Sequence, residues 1–138
     1  MGKWFGNRGS ALVIAMLLLV ILTAIGLYAV SISTSEFEMS TYSKMGKVAL
    51  YAAEAGAYFG IDTIPIMTNA NGISLADLAT YDVVSTSVGA EPIPGYDTGW
   101  SRALFNIRST GKPPSQYSVH RSIDAGAAYG PVPTGTGY

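Results

Sequence analysis

The sequence predicts an α+β protein: a long N-terminal helix, half membrane-inserted and half amphipathic, packed against a small antiparallel sheet. Three observations carry that prediction. No charged residue lies between Arg8 and Glu36. From Thr34 to Asp62 there is no proline, and Ala, Leu, Met, Lys and Glu recur. Beyond Pro65, short apolar–polar alternations are separated by Gly- and Pro-rich stretches. The chain divides accordingly into a leader (1–9), an apolar helix (10–33), its amphipathic continuation (34–62), a small α+β domain (63–128) and a Gly/Pro-rich tail (129–138).

The leader, MGKWFGNRG, carries Lys3 and Arg8 and ends in Gly9. The run from Ser10 to Ser33 follows directly. A helix crossing the hydrocarbon core needs about 20 apolar residues, and this run has that length. Each Leu, Ile or Val favours the membrane by roughly 0.3–0.6 kcal/mol. A soluble helix would show a polar face at every turn; here only Thr23, Ser31 and Ser33 interrupt the apolar surface. Basic residues precede the span and none follows before Lys44, which predicts a cytoplasmic N-terminus and an external C-terminal domain. A cleaved secretory signal is the alternative, with Ala29-Val30-Ser31 as its cleavage site. Such signals have apolar cores of only about 7–15 residues.

The next segment continues as helix, because its residues favour that state. Lys44, Lys47, Tyr51, Glu54 and Tyr58 share one face. Met45, Ala49, Ala52, Ala53, Gly56 and Gly60 share the other, at amphipathic-helix spacing. The small face lets another backbone approach closely. The whole helix would be about 80 Å long at 1.5 Å per residue, with Gly26 and residues 31–35 as places to bend.

Arg8-Gly9-Ser10-Ala11-Leu12-Val13, the Leu-rich run and the later Ala52-Ala53-Glu54-Ala55 occur in an order that resembles type IV pilin precursors. The resemblance is closest to the PilX-type minor pilins and covers roughly the first 60 residues. It implies cleavage after Gly9 by prepilin peptidase and methylation of the new amino terminus at Ser10. It implies a single-pass subunit of the bacterial inner membrane, with its C-terminal domain periplasmic, that later joins a pilus filament. The implied partners are other pilin and minor pilin subunits through the N-terminal helix, the inner-membrane assembly platform, and a tip adhesin. Most pilins have Glu as the fifth mature residue, where it pairs with a neighbouring subunit's amino terminus. Here that position is Ile14; PilX-type subunits commonly lack the Glu. The C-terminal disulfide of many pilins is absent too. Glu54, in the family's tetrad, is a second assembly-relevant candidate; its plain reading is a solvated helix residue offsetting Lys47.

Pro65 ends the helix. Ser74 with Asp77 three residues on resembles a capping box, predicting a short helix over 74–80. Residues 83–88 read as a strand and 89–99 as a loop with Pro92 and Pro94. Residues 100–110 read as a strand with Phe105 and Ile107 on one face and Asn106 and Arg108 on the other. Residues 111–115 read as a turn, and 116–127 as a second strand with Tyr117, Val119 and Ile123 on one face, completing a hairpin. The tail reads as irregular.

Little in the sequence carries chemistry. The net charge is −1, which argues against a nucleic-acid partner. With no cysteine, thiolate metal sites, disulfides and thiol catalysis are excluded. His120 is the single histidine, a strand-face residue rather than a metal ligand. Asp97 in Gly-Tyr-Asp-Thr-Gly suits an Asx-type turn better than a calcium site. No HExxH, GxSxG or phosphate-loop pattern is present. The sequence therefore implies no enzyme, cofactor or metal. Three roles stay open: a minor pilin that primes assembly or sits at a filament tip, a minor pseudopilin of a type II secretion system, and a membrane-anchored periplasmic binding domain that never polymerises.

Overall fold

The computed structural model describes the backbone of residues 6–76 and 78–135, and side chains from residue 9 onward. Most of the leader (1–5), Asp77 of the capping-box reading and the last tail residues (136–138) lie outside the described residues. One helix, α1 (Gly6–Asp62), precedes four strands: β1 (Asn69–Ser74), β2 (Thr80–Pro92), β3 (Trp100–Lys112) and β4 (Arg121–Pro133). The α+β class with a long N-terminal helix on an antiparallel sheet is what the structure has. The chain forms two compact units, Met1–Thr41 and Tyr42–Tyr138.

In the first unit every side chain from Gly9 to Ser40 is exposed. The helix is not interrupted at Gly26 or at the serine cluster. Thr23 and Thr34 return their hydroxyls to carbonyls one turn back, on Leu19 and on Val30 and Ser31. That local bond is how a hydroxyl is satisfied in an apolar helix.

In the second unit, residues 42–62 of α1 lie on one face of a four-stranded meander in the order β1-β2-β3-β4. The expected helix face is the buried one: Ala49, Ala52, Ala53, Gly56, Ala57 and Gly60 are buried, while Lys44, Lys47, Tyr51, Glu54 and Tyr58 are exposed. The sheet answers with Tyr81 and Val83 of β2 and Ala103, Phe105, Ile107 and Ser109 of β3, all buried. A Cβ on Gly111 would strike the Ala49 carbonyl and the Ala53 amide; one on Gly60 would lie 2.6 Å from Ile107. Helix numbering rises as β3 numbering falls. From Ala52 to Gly60 the helix advances about 12 Å, and from Gly111 to Ile107 the strand advances about 13 Å. The two elements therefore stay in step, with small residues at the crossing so that backbone meets backbone.

Asp62 ends α1 as expected. Thr63 caps it by donating its hydroxyl to Gly60 O at 3.1 Å, and Pro65 prevents continuation. Residues 63–68 then fold onto β2. Thr68 N donates to the buried Ser85 hydroxyl at 2.6 Å, and Ser85 N donates to Thr68 O at 2.8 Å.

Several expectations are corrected. The helix over 74–80 does not form: Ser74 ends β1, and Leu75 N donates to Ala79 O at 2.8 Å across a tight turn. Pairing with β2 outcompetes a cap at so short a connection. The strand at 83–88 extends over Thr80–Pro92, well into the expected loop. Gly111 belongs to β3 rather than to a turn, since its missing Cβ serves the helix contact. The turn is displaced to 113–120, so Tyr117, Val119 and His120 sit in the connection rather than on a strand. The second hairpin strand starts at Arg121 and runs into the tail as far as Pro133, where Val132 is 5% exposed.

Candidate functional site

The N-terminal segment of α1 is the candidate site. Gly9, Ser10 and Ile14 lie on it, all exposed, within the first unit. Ser10 and Ile14 are four residues apart and share one helix face. Ile14 is 56% exposed, and its neighbours Leu12, Val13, Met16, Leu17 and Leu18 are each exposed by more than half. No residue in the most apolar eighteen-residue window of this helix is buried. A soluble protein rarely leaves so large an apolar surface uncovered. The helix is long and apolar enough to cross a membrane, which fits an anchor. The same surface can pack against other apolar helices.

Glu54 belongs to the second unit. It is exposed on the helix face opposite the sheet, between Tyr51 and Tyr58, which are 65% and 73% exposed. Among the described residues it forms no ion pair. The expected offset by Lys47 is not a contact.

The sheet face turned away from α1 carries cross-strand ion pairs. Arg108 grips Asp124 with two hydrogen bonds, at 2.7 and 3.2 Å. Arg102 holds Glu91 at 3.0 Å. Lys112 holds Asp82 at 2.5 Å, and Gly72 N donates to the same carboxylate at 2.7 Å. The Lys112 hydrogen bond, then the Gly72 amide, push the Asp82 carboxyl below its ordinary pKa. Arg108 does the same for Asp124, and Asp124 in turn raises Arg108. Such exposed pairs add ordering more than stability.

A shallow groove beside the 113–120 connection is lined by Ser74, Thr80, Lys112, Tyr117 and His120. Among the described residues, no group of three or more His, Cys, Asp or Glu side chains that could hold a metal ion includes His120. Asp97 accepts from Thr98 N at 2.7 Å, and Trp100 N donates to Asp97 O at 3.0 Å, so this residue is used in a turn.

Residues 8–57 match the family PilX N-terminal. The match starts at Arg8, covers the apolar helix and the Ala52–Ala55 tetrad, and stops before the sheet begins. No curated protein and no solved structure matches the chain. The family is one of structural pilin components, and the match points to a minor pilin related to type IV pili. Residues 8–57 are thus similar to the PilX N-terminal family over an exposed apolar helix and the start of its sheet-packed continuation.

Proposed function

We propose that the chain is a minor type IV pilin-like subunit that acts early in pilus assembly, at or near the filament tip. One observation carries this reading: the PilX N-terminal match falls on a helix whose apolar surface is uncovered. That surface suits two successive environments, lipid before assembly and neighbouring apolar helices after it. The processing site in this reading is the bond between Gly9 and Ser10, with methylation of the Ser10 amine and a periplasmic C-terminal domain.

The placement follows from Ile14. In the pilin resemblance, a Glu at this position pairs with the amino terminus of the subunit above. An amine left unpaired in an apolar core costs several kcal/mol. Ile14 supplies no partner, so this subunit is disfavoured wherever another lies above it. The tip is the one position without that cost.

Mass spectrometry tests both steps. The mature chain should begin with methylated Ser10; a first residue near Ile32 would establish a secretory signal instead. In sheared filaments the chain should be far less abundant than a Glu-containing major subunit, and comparable copy numbers would rule out the tip. Ile14→Glu should raise its incorporation along the shaft.

A further inference from the structure

Asn71 is followed by Gly72, and the structure sets this pair apart from the ladder that holds the rest of β1. Ala70 pairs with Val83 and Ile73 with Tyr81, so Asn71 and Gly72 together oppose Asp82. A bulge of this kind leaves its extra residue unpaired. Gly72 takes φ of 66°, a left-handed conformation that costs glycine nothing sterically. Both residues are exposed, and a Cβ on Gly72 would meet nothing within 4 Å. Among the described residues, the Asn71 side-chain amide makes one hydrogen bond, a long one from Nδ2 to Asn69 Oδ1 at 3.4 Å. The other asparagines, Asn7, Asn69 and Asn106, precede Arg8, Ala70 and Ile107, and Asn106 lies in the unbroken part of the β3–β4 ladder.

An asparagine followed by glycine is a reactive pair. The main-chain nitrogen of the glycine can add to the side-chain carbonyl carbon of the asparagine, because no side chain on the following residue shields that approach. The Gly72 N–Asn71 Cγ bond forms, the Asn71 Cγ–Nδ2 bond breaks, and ammonia leaves with the former amide proton. The resulting five-membered succinimide takes up one water. Opening at Cγ gives an aspartate and restores the chain. Opening at the main-chain carbonyl gives an isoaspartate, whose chain runs through the side-chain carbon.

One contact opposes this reaction. Gly72 N, the nucleophile, donates to Asp82 Oδ1 at 2.7 Å, and Lys112 holds the other oxygen of that carboxylate. The amide adds in its deprotonated form. Losing the proton beside a carboxylate would place two negative charges together, which each disfavours in the other. The hydrogen bond is charge-assisted, and it fixes the Gly72 peptide plane against the rotation that brings its nitrogen to Asn71 Cγ. We propose that Asn71-Gly72 is a self-modification site, converted through a succinimide to aspartate or isoaspartate with water as co-reactant, and that the Asp82 carboxylate restrains the reaction while β1 is docked. The product puts a second carboxylate opposite Asp82 and, in its isoaspartyl form, an extra main-chain carbon into the bulge. Both loosen the hold of β2 on β1. The ammonia is lost to solvent, so modified chains accumulate with the time that β1 spends undocked.

Peptide mass spectrometry of the full chain, incubated in detergent micelles in oxygen-18 water at neutral pH, tests this. Position 71 should show the amide-to-acid mass shift with an oxygen-18 atom incorporated, as a mixture of aspartate and isoaspartate. Asn7, Asn69 and Asn106 should stay intact over the same period. The chain unfolded in denaturant should convert roughly tenfold faster, the factor expected for loss of a hydrogen bond to a charged group. In the folded chain, Asp82→Asn keeps the side-chain shape and removes the charge, and it should speed conversion by about the same factor. Lys112→Met keeps the carboxylate and should not speed it. Hydrogen exchange separates loss of the restraint from loss of the strand. In Asp82→Asn the Gly72 amide should lose protection, while the amides on either side of the bulge keep it: Leu75, bound to Ala79 O, and Ser85, bound to Thr68 O.

A rate in Asp82→Asn equal to or below that of the native chain would overturn the proposal, the lower rate marking the carboxylate as a base rather than a restraint. So would conversion no faster in the unfolded chain, or a product free of oxygen-18. Faster conversion accompanied by lost protection at Leu75 and Ser85 would overturn it too, since fraying of β1 would then explain the rate without the Asp82 contact.

Discussion

The two halves of α1 share a backbone conformation and oppose each other in side-chain logic. Up to Thr41 the helix presents Leu, Ile, Val and Met, all exposed. From Tyr42 it buries Ala and Gly and exposes Lys, Tyr and Glu. Large apolar residues on an uncovered helix require an apolar solvent or partner outside the chain. Small residues on a covered face mean that the cover is close and already present. The same secondary structure therefore encodes two different relations to the rest of the assembly.

The sharpest way to break that comparison is to truncate equivalent bulk in each half. Ile107→Ala removes a fully buried side chain from the layer under Gly60. It should destabilise the domain by about 2–5 kcal/mol, read by chemical denaturation of the full chain in micelles. Leu18→Ala should leave that transition unchanged, because Leu18 is half-exposed in the first unit and is not among the buried core residues. A matching loss from Leu18→Ala would mean that the first segment also holds the domain together.

Glycine substitution draws the same contrast at smaller scale. Gly111→Ala drives a Cβ into the backbone of Ala49 and Ala53, which has no side chain to swing away. Overpacking of this kind costs typically about 1–3 kcal/mol, and a backbone clash belongs at the upper end. Gly26→Ala meets nothing within 4 Å and should strengthen the helix by up to about 1 kcal/mol. Thermal melts followed by circular dichroism separate the two.

How far these relations could be read from the chain follows the same division. The apolar run, the Ala/Gly face and the stop at Pro65 are local signals, and each corresponds to an observed feature. Phe105 and Ile107 alternate with polar residues, and β3 follows. The strand β1 carries no local strand signal, because Asn69, Asn71 and Gly72 are poor strand formers, and only pairing with β2 makes it a strand. Gly111 misled because a turn and a tight helix crossing both call for a missing Cβ. Residues 129–133 read as a tail because Gly130, Pro131 and Pro133 are poor strand formers, yet β3 recruits them. Ile14 and Glu54 could be placed on helix faces from spacing alone, whereas the hold of Asp82 on Gly72 depends on strand register, which no local pattern carries.

Ser109 and Ser85 offer a finer comparison within the sheet. Both are buried, but Ser85 accepts from Thr68 N while the Ser109 hydroxyl has no partner among the described residues. It faces Gly56, where a Cβ would collide with it. A buried hydroxyl without a bond costs roughly 1–3 kcal/mol. Ser109→Ala should therefore be neutral or stabilising by about 1 kcal/mol, and Ser85→Ala destabilising by a similar amount. A loss from Ser109→Ala equal to that from Ser85→Ala would show that the first hydroxyl is satisfied by water.

The smallest expected effect is electrostatic. Asp82 is held below its ordinary carboxylate pKa by Lys112 and by the Gly72 amide. Its folded-state value thus lies below the unfolded value of about 3.9. The unfolded chain takes up the proton first as pH falls. The Asp82 contribution is complete above about pH 4 and is lost as pH drops through the folded value. The Lys112 ammonium is half-exposed and the carboxylate a quarter exposed, so the pair is worth less than about 1 kcal/mol. Asp82→Asn should flatten that part of the acid limb and leave the unfolding midpoint at pH 7 nearly unchanged. Because Asp82 also fastens Gly72, the variant should speed exchange of the Gly72 amide even at neutral pH. An acid limb that keeps its slope in Asp82→Asn would assign it to Asp124, the other carboxylate held below its ordinary range.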